Sequence, residues 1–192
     1  ESVDVQYVLE RKLIEILLLY GNTETTFEDL ILKENDEGEL NIESEVFESK
    51  VYEKIFLDLQ QDEIDLANEK FKAIYYKAIE KLNETGTLEI DTFVNEIEPE
   101  RASEVTDILM REERYELHKW ETQNIFVKPK VEEINKLTSD TILNLRRKLI
   151  FEKIERLMHQ TIDVEFNESI LEEVNEYNKL ESLLSEQLKR VL

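Results

Sequence analysis

The sequence contains no cysteine, and only three glycines and two prolines among its 192 residues. The absence of cysteine excludes disulfides, thiolate metal sites and cysteine nucleophiles, and it is typical of a reducing compartment such as the cytoplasm. Sheet proteins need many turns, and turns depend heavily on glycine and proline. The scarcity of both residues therefore favours a helical protein.

Long apolar runs are also missing. The run from Leu13 to Tyr20 is too short to span a bilayer, and Glu15 interrupts it. No basic segment and cleavage site accompany it, so it is not a signal peptide, and no membrane partner is expected. The chain begins at Glu1 without a methionine, which suggests a piece of a longer protein.

Basic residues are few, with 24 Lys and Arg against 46 Asp and Glu, for a net charge of −22. Residues 1–99 carry −17 of this charge and residues 100–192 carry −5. Duplex binding requires a basic stripe that neutralises phosphates, so no direct contact with nucleic acid is expected. An acidic protein that imitates nucleic acid and binds a basic DNA-binding partner is the alternative function.

Apolar periodicity predicts a bundle of helices over residues 1–129. The stretch "ERKLIEILLLYGN" (10–22) lies in a helix from Val5 to Tyr20 that is apolar on nearly all sides, so other helices must surround it. Asp4 is its expected N-cap and Gly21 its C-terminal stop. The remaining predictions are a loop over 22–42, helices over 43–60 and 68–83, a short helix capped by Asp91, a helix from Pro99 to about 111, and an extended strap ending near Pro129.

Residues 130–192 are predicted to form a long antiparallel helical hairpin, so the fold class is all-α with two subdomains. One apolar face runs from Val131 to Ile154, and the last helix shows heptad spacing from Ile170 to Val191. A hairpin of two helices cannot bury all of its apolar residues between them. We therefore expect some of them to face outward and to bind a partner, among Phe151, Leu157, Met158, Ile162, Val164, Phe166, Leu180 and Leu183.

The search for catalytic chemistry is negative. Three scattered glycines cannot build a phosphate-binding loop, and neither His118 nor His159 follows a glutamate by three residues, as di-metal bundles require. Each histidine is interpreted as a structural or surface residue. We therefore expect no cofactor, no metal and no enzyme active site.

Two groups of basic residues have two interpretations each. Arg146, Arg147 and Lys148 cluster on the first helix of the hairpin, and Arg11 and Lys12 are a basic pair in the acidic half. The favoured interpretation is that they pair with glutamates, which for the hairpin cluster means glutamates on the opposite helix. The other is that they form a patch that binds an acidic segment of a partner.

The order of several short motifs resembles the C-terminal domain of bacterial DNA primase of the DnaG type. "ERKLIEILLLYGN" resembles the opening helix of that domain, and "ESKVYEKIFLDL" and "NEKFKAIYYKAIEKL" are similar to its next two long helices. The stretch from "GTLEIDTF" to "RYELHKW" resembles the short helices that follow. "ILNLRRKLIFEKIERL" is similar to the long helix before its final hairpin helix.

This resemblance implies a non-catalytic domain that docks a primase onto the hexameric replicative helicase and couples primer synthesis to the fork. The implied contact is between the hairpin and the N-terminal domain of the helicase. The expected interface residues are Met158, Ile162, Val164 and Phe166 at the tip, with Leu180, Leu184 and Leu188 on the last helix. The alternative role of several residues in the last group is to hold the hairpin together. In some members the domain also captures the acidic tail of single-stranded DNA-binding protein, for which the candidates here are Arg11, Lys12, Arg146, Arg147 and Lys148.

Overall fold

The computed structural model describes residues 4–34, 40–62, 65–110, 131–163 and 168–191, which form seven helices and one two-stranded sheet. In chain order the elements are α1 (Val5–Tyr20), β1 (Glu24–Glu34), β2 (Leu40–Lys50), α2 (Val51–Gln61), α3 (Glu69–Thr85), α4 (Ile90–Glu96), α5 (residues 99–110), α6 (Val131–Asp163) and α7 (Glu168–Val191). The predicted strap after α5 lies outside the described residues.

Helix α1 is the centre of the bundle, as its sequence predicts. Asp4 caps it, with a carboxylate oxygen that accepts from the backbone N–H of Tyr7 at 3.1 Å. Leu13, Ile14, Ile16 and Leu17 are fully buried, so no side of the middle of the helix faces water. Helices α2, α3 and α6 pack around it.

The bundle core continues into α6 and does not stop at residue 129. Ile134, Ile142 and Leu145 of α6 belong to the same buried cluster as the apolar residues of α1. The first half of α6 is therefore a helix of the bundle, and only its second half extends beyond the core as an arm with α7.

The all-α prediction is corrected by a β-hairpin. The predicted loop over 22–42 and the start of the predicted helix over 43–60 are wrong, since β1 and β2 pair antiparallel over these residues and the helix begins only at Val51. Phe27 lies opposite Phe47 in the ladder, with ring centroids 6.1 Å apart, and Phe27 is buried in the bundle core. Side chains alternate between the two faces along β1, which places Thr25 and Phe27 on this inner face. The burial of these residues therefore follows the two-residue repeat of a strand and not the spacing of a helix.

Helices α3, α4 and α5 lie within a few residues of their predicted bounds. Asn68 caps α3 by accepting from the N–H groups of Lys70 and Phe71 at 3.0 and 3.1 Å. Gly86 ends α3 in the left-handed region at φ 72°, where a side chain would be strained. Helix α4 starts one residue before Asp91, which was expected to be its cap.

The predicted helical hairpin is present as α6 and α7. Helix α6 has 33 residues, which corresponds to a length of about 50 Å. A second buried cluster, separate from the bundle core, lies between the two helices and consists of Leu143, Ile150, Leu184 and Leu188. Val174, Leu184 and Leu188 of the predicted heptad are all buried, which confirms the heptad as the hairpin interface.

Candidate functional site

The hairpin interface uses two of the predicted partner-binding leucines. Leu184 is 1% exposed and Leu188 is 5% exposed, and both belong to the cluster that Leu143 and Ile150 of α6 form with α7. Leu180 is partly buried at the edge of the same cluster. Of the two roles open to these residues, Leu184 and Leu188 hold the hairpin together and offer no surface to another molecule.

The second half of α6 presents apolar side chains to water. Phe151 is 52% exposed and Met158 is 50% exposed, and the seven-residue spacing places them on one side of α6. Leu171 of α7 is also exposed. Arg147 of α6 and Glu181 of α7 form an ion pair of 3.1 Å, which fixes which residues of the two antiparallel helices lie side by side. Counting along both helices from this pair towards the tip places Leu171 almost level with Met158. We call Phe151, Met158 and Leu171 the arm face.

The other predicted tip residues have side chains outside the part of the chain that the structure describes. Val164 and Phe166 lie outside the described residues, and the side chain of Ile162 is likewise not described. Among the predicted tip residues, Met158 is the one whose side chain the structure describes as exposed.

A groove adjoins the arm face where α1 crosses α6. It has a volume of about 410 Å³ and is lined by Val5 and Leu9 of α1, by Phe151 and by the polar residues Asn144, Arg147, Lys148 and Glu181. Val5 and Val8 of α1 are more than half exposed. The apolar surface of the arm therefore continues onto the first turns of α1.

The predicted basic patch on α6 consists of side chains that pair with carboxylates of this chain. Arg146 is buried and makes a two-pronged contact with Asp62, with Nη2 donating to Oδ1 at 2.9 Å. Arg147 pairs with Glu181 on the opposite helix, and Lys148 pairs with Glu152 at 3.1 Å.

The basic pair on α1 behaves in the same way. Arg11 reaches Asp107 of α5 at 3.5 Å, and Lys12 pairs with Glu15 one turn away. Each of the five candidates for an acidic tail thus has an intramolecular carboxylate partner. The geometry supports the pairing interpretation, because each cation already lies within ion-pair distance of a carboxylate of this chain.

A buried polar network, which sequence reasoning missed, lies where β1, α2 and the end of α7 meet. Lys54 of α2 is almost fully buried and donates to Asp29 at 2.6 Å and to Asp58 at 2.7 Å. Its ammonium group also lies 5.9 Å from the centroid of the Phe27 ring and 5.6 Å from that of Phe47. The i, i+4 spacing of Lys54 and Asp58 was readable in the sequence, but the partner on β1 was not, since that strand was predicted as a loop.

Within this network, burial is the main influence on the pKa of Asp58. It raises the pKa of Asp58 above its usual value, while Lys54 and, more weakly, Arg146 act in the opposite direction. Lys54 satisfies the carboxylates of both Asp29 and Asp58 within the fold. The network is therefore interpreted as a structural tie rather than an active site.

A second buried carboxylate, that of Glu10, ties α1 to the start of α3. It is 1% exposed and accepts from the backbone N–H groups of Ala67 and Asn68 at 2.8 and 3.0 Å, and from the amide of Gln6. A carboxylate is favoured at this place because it satisfies N–H groups next to the positive end of a helix. Glu10 opens the "ERKLIEILLLYGN" stretch, and its role in that stretch is thus a structural one.

Within the described residues, no group of His, Asp and Glu is arranged to hold a metal ion. His159 is exposed on the arm beside Glu152, Glu155 and Arg156, and His118 lies outside the described ranges. None of the described helices has the length and apolar character that crossing a membrane requires.

Comparison with known proteins places the chain in one family. Residues 1–191 match a family described as a domain of unknown function, DUF8430. The chain belongs to this family. The match includes the bundle, the β-hairpin and both helices of the arm, so these parts form one family unit. Neither a curated protein nor a solved structure matches the chain.

Proposed function

We propose that this domain of the DUF8430 family is a non-catalytic docking module whose arm binds helices of a partner protein. The observation that carries the proposal is the exposure of Phe151 and Met158 on an arm whose own interface is already filled. Large apolar side chains that neighbour one another on a protruding element are typical of protein–protein interfaces. The buried cluster between the two helices includes neither Phe151 nor Met158, so these side chains are available to a partner.

The partner would complete the arm by packing its own helices against α6 and α7. In such helix-on-helix interfaces the buried apolar anchors contribute most of the affinity and the charged rim sets the register. Here the arm face supplies the anchors. Exposed acids beside it, such as Glu155 and Glu172, supply the rim.

For the partner we propose the N-terminal domain of the hexameric replicative helicase, with the chain as the docking domain of a bacterial primase. Support comes from the resemblance of the motifs to the DnaG-type C-terminal domain and from the succession of a helical bundle and a helical hairpin. Docking would keep primer synthesis at the replication fork in the cytoplasm. A capture site for the acidic tail of single-stranded DNA-binding protein receives no support from the paired state of the basic candidates.

The test is calorimetry with the helicase N-terminal domain from the same organism, using the full 192-residue chain and two matched methionine variants. Met158 on the arm face is 50% exposed and Met110 on α5 is 48% exposed. We expect Met158→Glu to weaken binding at least tenfold, because an interface anchor contributes about 2 kcal/mol or more. Met110→Glu changes the charge equally and should leave the affinity unchanged.

Two results would decide against the proposal. Equal affinities of the Met158→Glu and Met110→Glu variants would remove the arm face from the interface. Absence of binding to the helicase domain, together with salt-sensitive binding to a basic DNA-binding protein, would favour the alternative in which the acidic surface imitates nucleic acid.

A further inference from the structure

The outer edge of strand β2 has no strand beside it among the described residues. The sheet contains β1 and β2 only, and residues 41–46 of β2 are all exposed. In an antiparallel ladder, every second residue of an edge strand turns its N–H and C=O groups away from its partner strand. Residues 41–46, which we call the β2 edge, therefore present backbone donors and acceptors to which another strand can pair.

The two faces of the β2 edge differ in chemistry. Ile42 and Val46 share one face of the ladder and are 49% and 64% exposed. Glu43 and Glu45 lie on the other face, opposite Ile31 and Asp29 of β1. A strand added at this edge would place alternate side chains beside an apolar row and beside an acidic row.

The charge of the hairpin defines the partner further. Residues 24–50 contain ten acidic and two basic side chains, for a net charge of −8. Lys33 pairs with Glu43 at 2.9 Å across the ladder, and both side chains are exposed. A cation from a partner can approach Glu43 from the open side of β2, because Lys33 comes from the strand on the other side.

We propose that the β2 edge binds an extended segment of another protein in which lysine or arginine residues alternate with apolar residues. Backbone hydrogen bonds along the edge would supply affinity that does not depend on sequence. The cations would pair with Glu43 and Glu45, and the apolar residues would cover Ile42 and Val46, which provides the specificity.

A second copy of this chain is a poor occupant of the edge. Antiparallel pairing of two β2 strands about Ser44 would place Glu43 of each copy directly opposite Glu45 of the other. Like charges in directly opposed positions destabilise a ladder. The acidic row thus opposes self-association and favours a basic strand. The β2 edge shares no residue with the arm face, so this proposal and the helicase proposal can fail independently.

The test uses a synthetic seven-residue peptide, Lys-Val-Lys-Ile-Lys-Val-Lys with blocked ends, and a control peptide of the same composition in blocks, Lys-Lys-Lys-Lys-Val-Ile-Val. Binding to the full chain is measured by calorimetry, and hydrogen exchange follows the amides of residues 41–46. We expect the alternating peptide to bind at least tenfold tighter than the block peptide and to slow exchange at alternate β2 amides.

Two charge-reversal variants complete the test. Glu43→Lys with Glu45→Lys should weaken binding of the alternating peptide at least tenfold. The control is Glu80→Lys with Glu84→Lys, which changes the net charge equally on the exposed surface of α3 and should leave the affinity for the peptide unchanged. If both double variants lost affinity for the peptide equally, or if the bound peptide left hydrogen exchange at β2 unchanged, the attraction would be non-specific and the proposal would be overturned. Slow exchange in the free monomer of those β2 amides that point away from β1 would also overturn it, because the edge would then already be paired, and so would dimerisation through β2 at neutral pH.

Discussion

The side-chain amide of Gln187, near the end of the last helix, donates a hydrogen bond of 2.9 Å to Asp29 in the first strand, 158 positions earlier in the sequence. The other carboxylate oxygen of Asp29 accepts from Lys54 of α2. The base of the arm is therefore held to the β-hairpin and to the bundle by one buried polar network. This network, the carboxylate of Glu10 and the two leucines Leu171 and Leu184 of α7 provide four tests of the structure.

Replacing Lys54, the cation of the network, should lower the free energy of unfolding. Lys54→Met retains most of the apolar volume but leaves the carboxylates of Asp29 and Asp58 without their buried ammonium group. Breaking one partner out of a buried ion pair destabilises by about 3–5 kcal/mol. Urea unfolding at neutral pH, followed by circular dichroism, measures the effect. Lys77→Met removes an exposed lysine paired with Glu80 and should cost less than about 1 kcal/mol; similar losses in the two variants would contradict the burial of the network.

The raised pKa of Asp58 predicts a pH dependence with a definite sign. Burial holds the pKa of this carboxyl above its usual value of 3.8, so the folded protein retains the proton to a higher pH than the unfolded chain does. The contribution of Asp58 to stability is therefore complete below the usual value and is lost as the pH rises through the raised pKa. Relative to Asp58→Asn, the free energy of unfolding of the unaltered protein should fall over this window in chemical denaturation. A difference that stays constant, or that grows in favour of the unaltered protein, would contradict the prediction.

Truncation of Glu10 should loosen the start of α3. Glu10→Ala removes the hydrogen bonds that the N–H groups of Ala67 and Asn68 donate to a charged acceptor, each of which contributes about 1.5–3 kcal/mol. Glu10→Gln keeps one acceptor oxygen and should lose less. Hydrogen exchange at Ala67 and Asn68 together with urea unfolding measures both effects, and Glu24→Ala, an exposed carboxylate at the start of β1, is the control. Unchanged exchange in Glu10→Ala would show that these bonds do not hold the two helices together.

Two leucines of α7 should respond oppositely in stability and in binding. Leu184 is buried against α6, so Leu184→Ala should cost about 2–4 kcal/mol in unfolding experiments. Leu171 is exposed on the arm face, so Leu171→Ala should cost less than about 1 kcal/mol. If the arm docks as proposed, Leu171→Ala instead weakens binding to the helicase domain. A large stability loss from Leu171→Ala would mean that this residue belongs to the hairpin interface.

Helix bounds were predictable where the signals are local. The bounds of α1 agree with the prediction at both ends, because Asp4 is an N-terminal cap and Gly21 follows the last apolar residue. The heptad of α7 was readable because each of its members recurs within one or two turns. The fully apolar character of α1 predicted its central place, since burial is the only environment that suits such a helix.

The β-hairpin was not predicted, and the reason lies in distance along the chain. Val46, Phe47, Val51 and Ile55 recur at helical spacing, and glutamates between them are strong helix formers. The strand state depends on pairing with residues about twenty positions earlier, such as Phe27, and on the bundle that covers this face. Tertiary contacts can override local propensity in this way.

The candidate site was predictable in kind but not in detail. The excess of apolar residues over what two helices can cover indicated an exposed face on the arm, and Phe151 and Met158 lie on it. Which leucines of α7 face inward depended on the register between the two helices, and that register places Leu184 and Leu188 inside. Asp62, the partner of Arg146, and Asp29, the strand partner of Lys54, likewise come from elements distant in sequence.

The sequence by itself determined a helical protein with a central apolar helix and a two-helix arm, because the composition, caps and periodicity that specify these features act within a few turns. Only the tertiary structure decided that residues 24–50 form strands, that α6 belongs to both bundle and arm, and that Arg11, Arg146 and Arg147 pair with distant carboxylates. Each of those outcomes depends on contacts between residues far apart in the chain, whose energies no local pattern records.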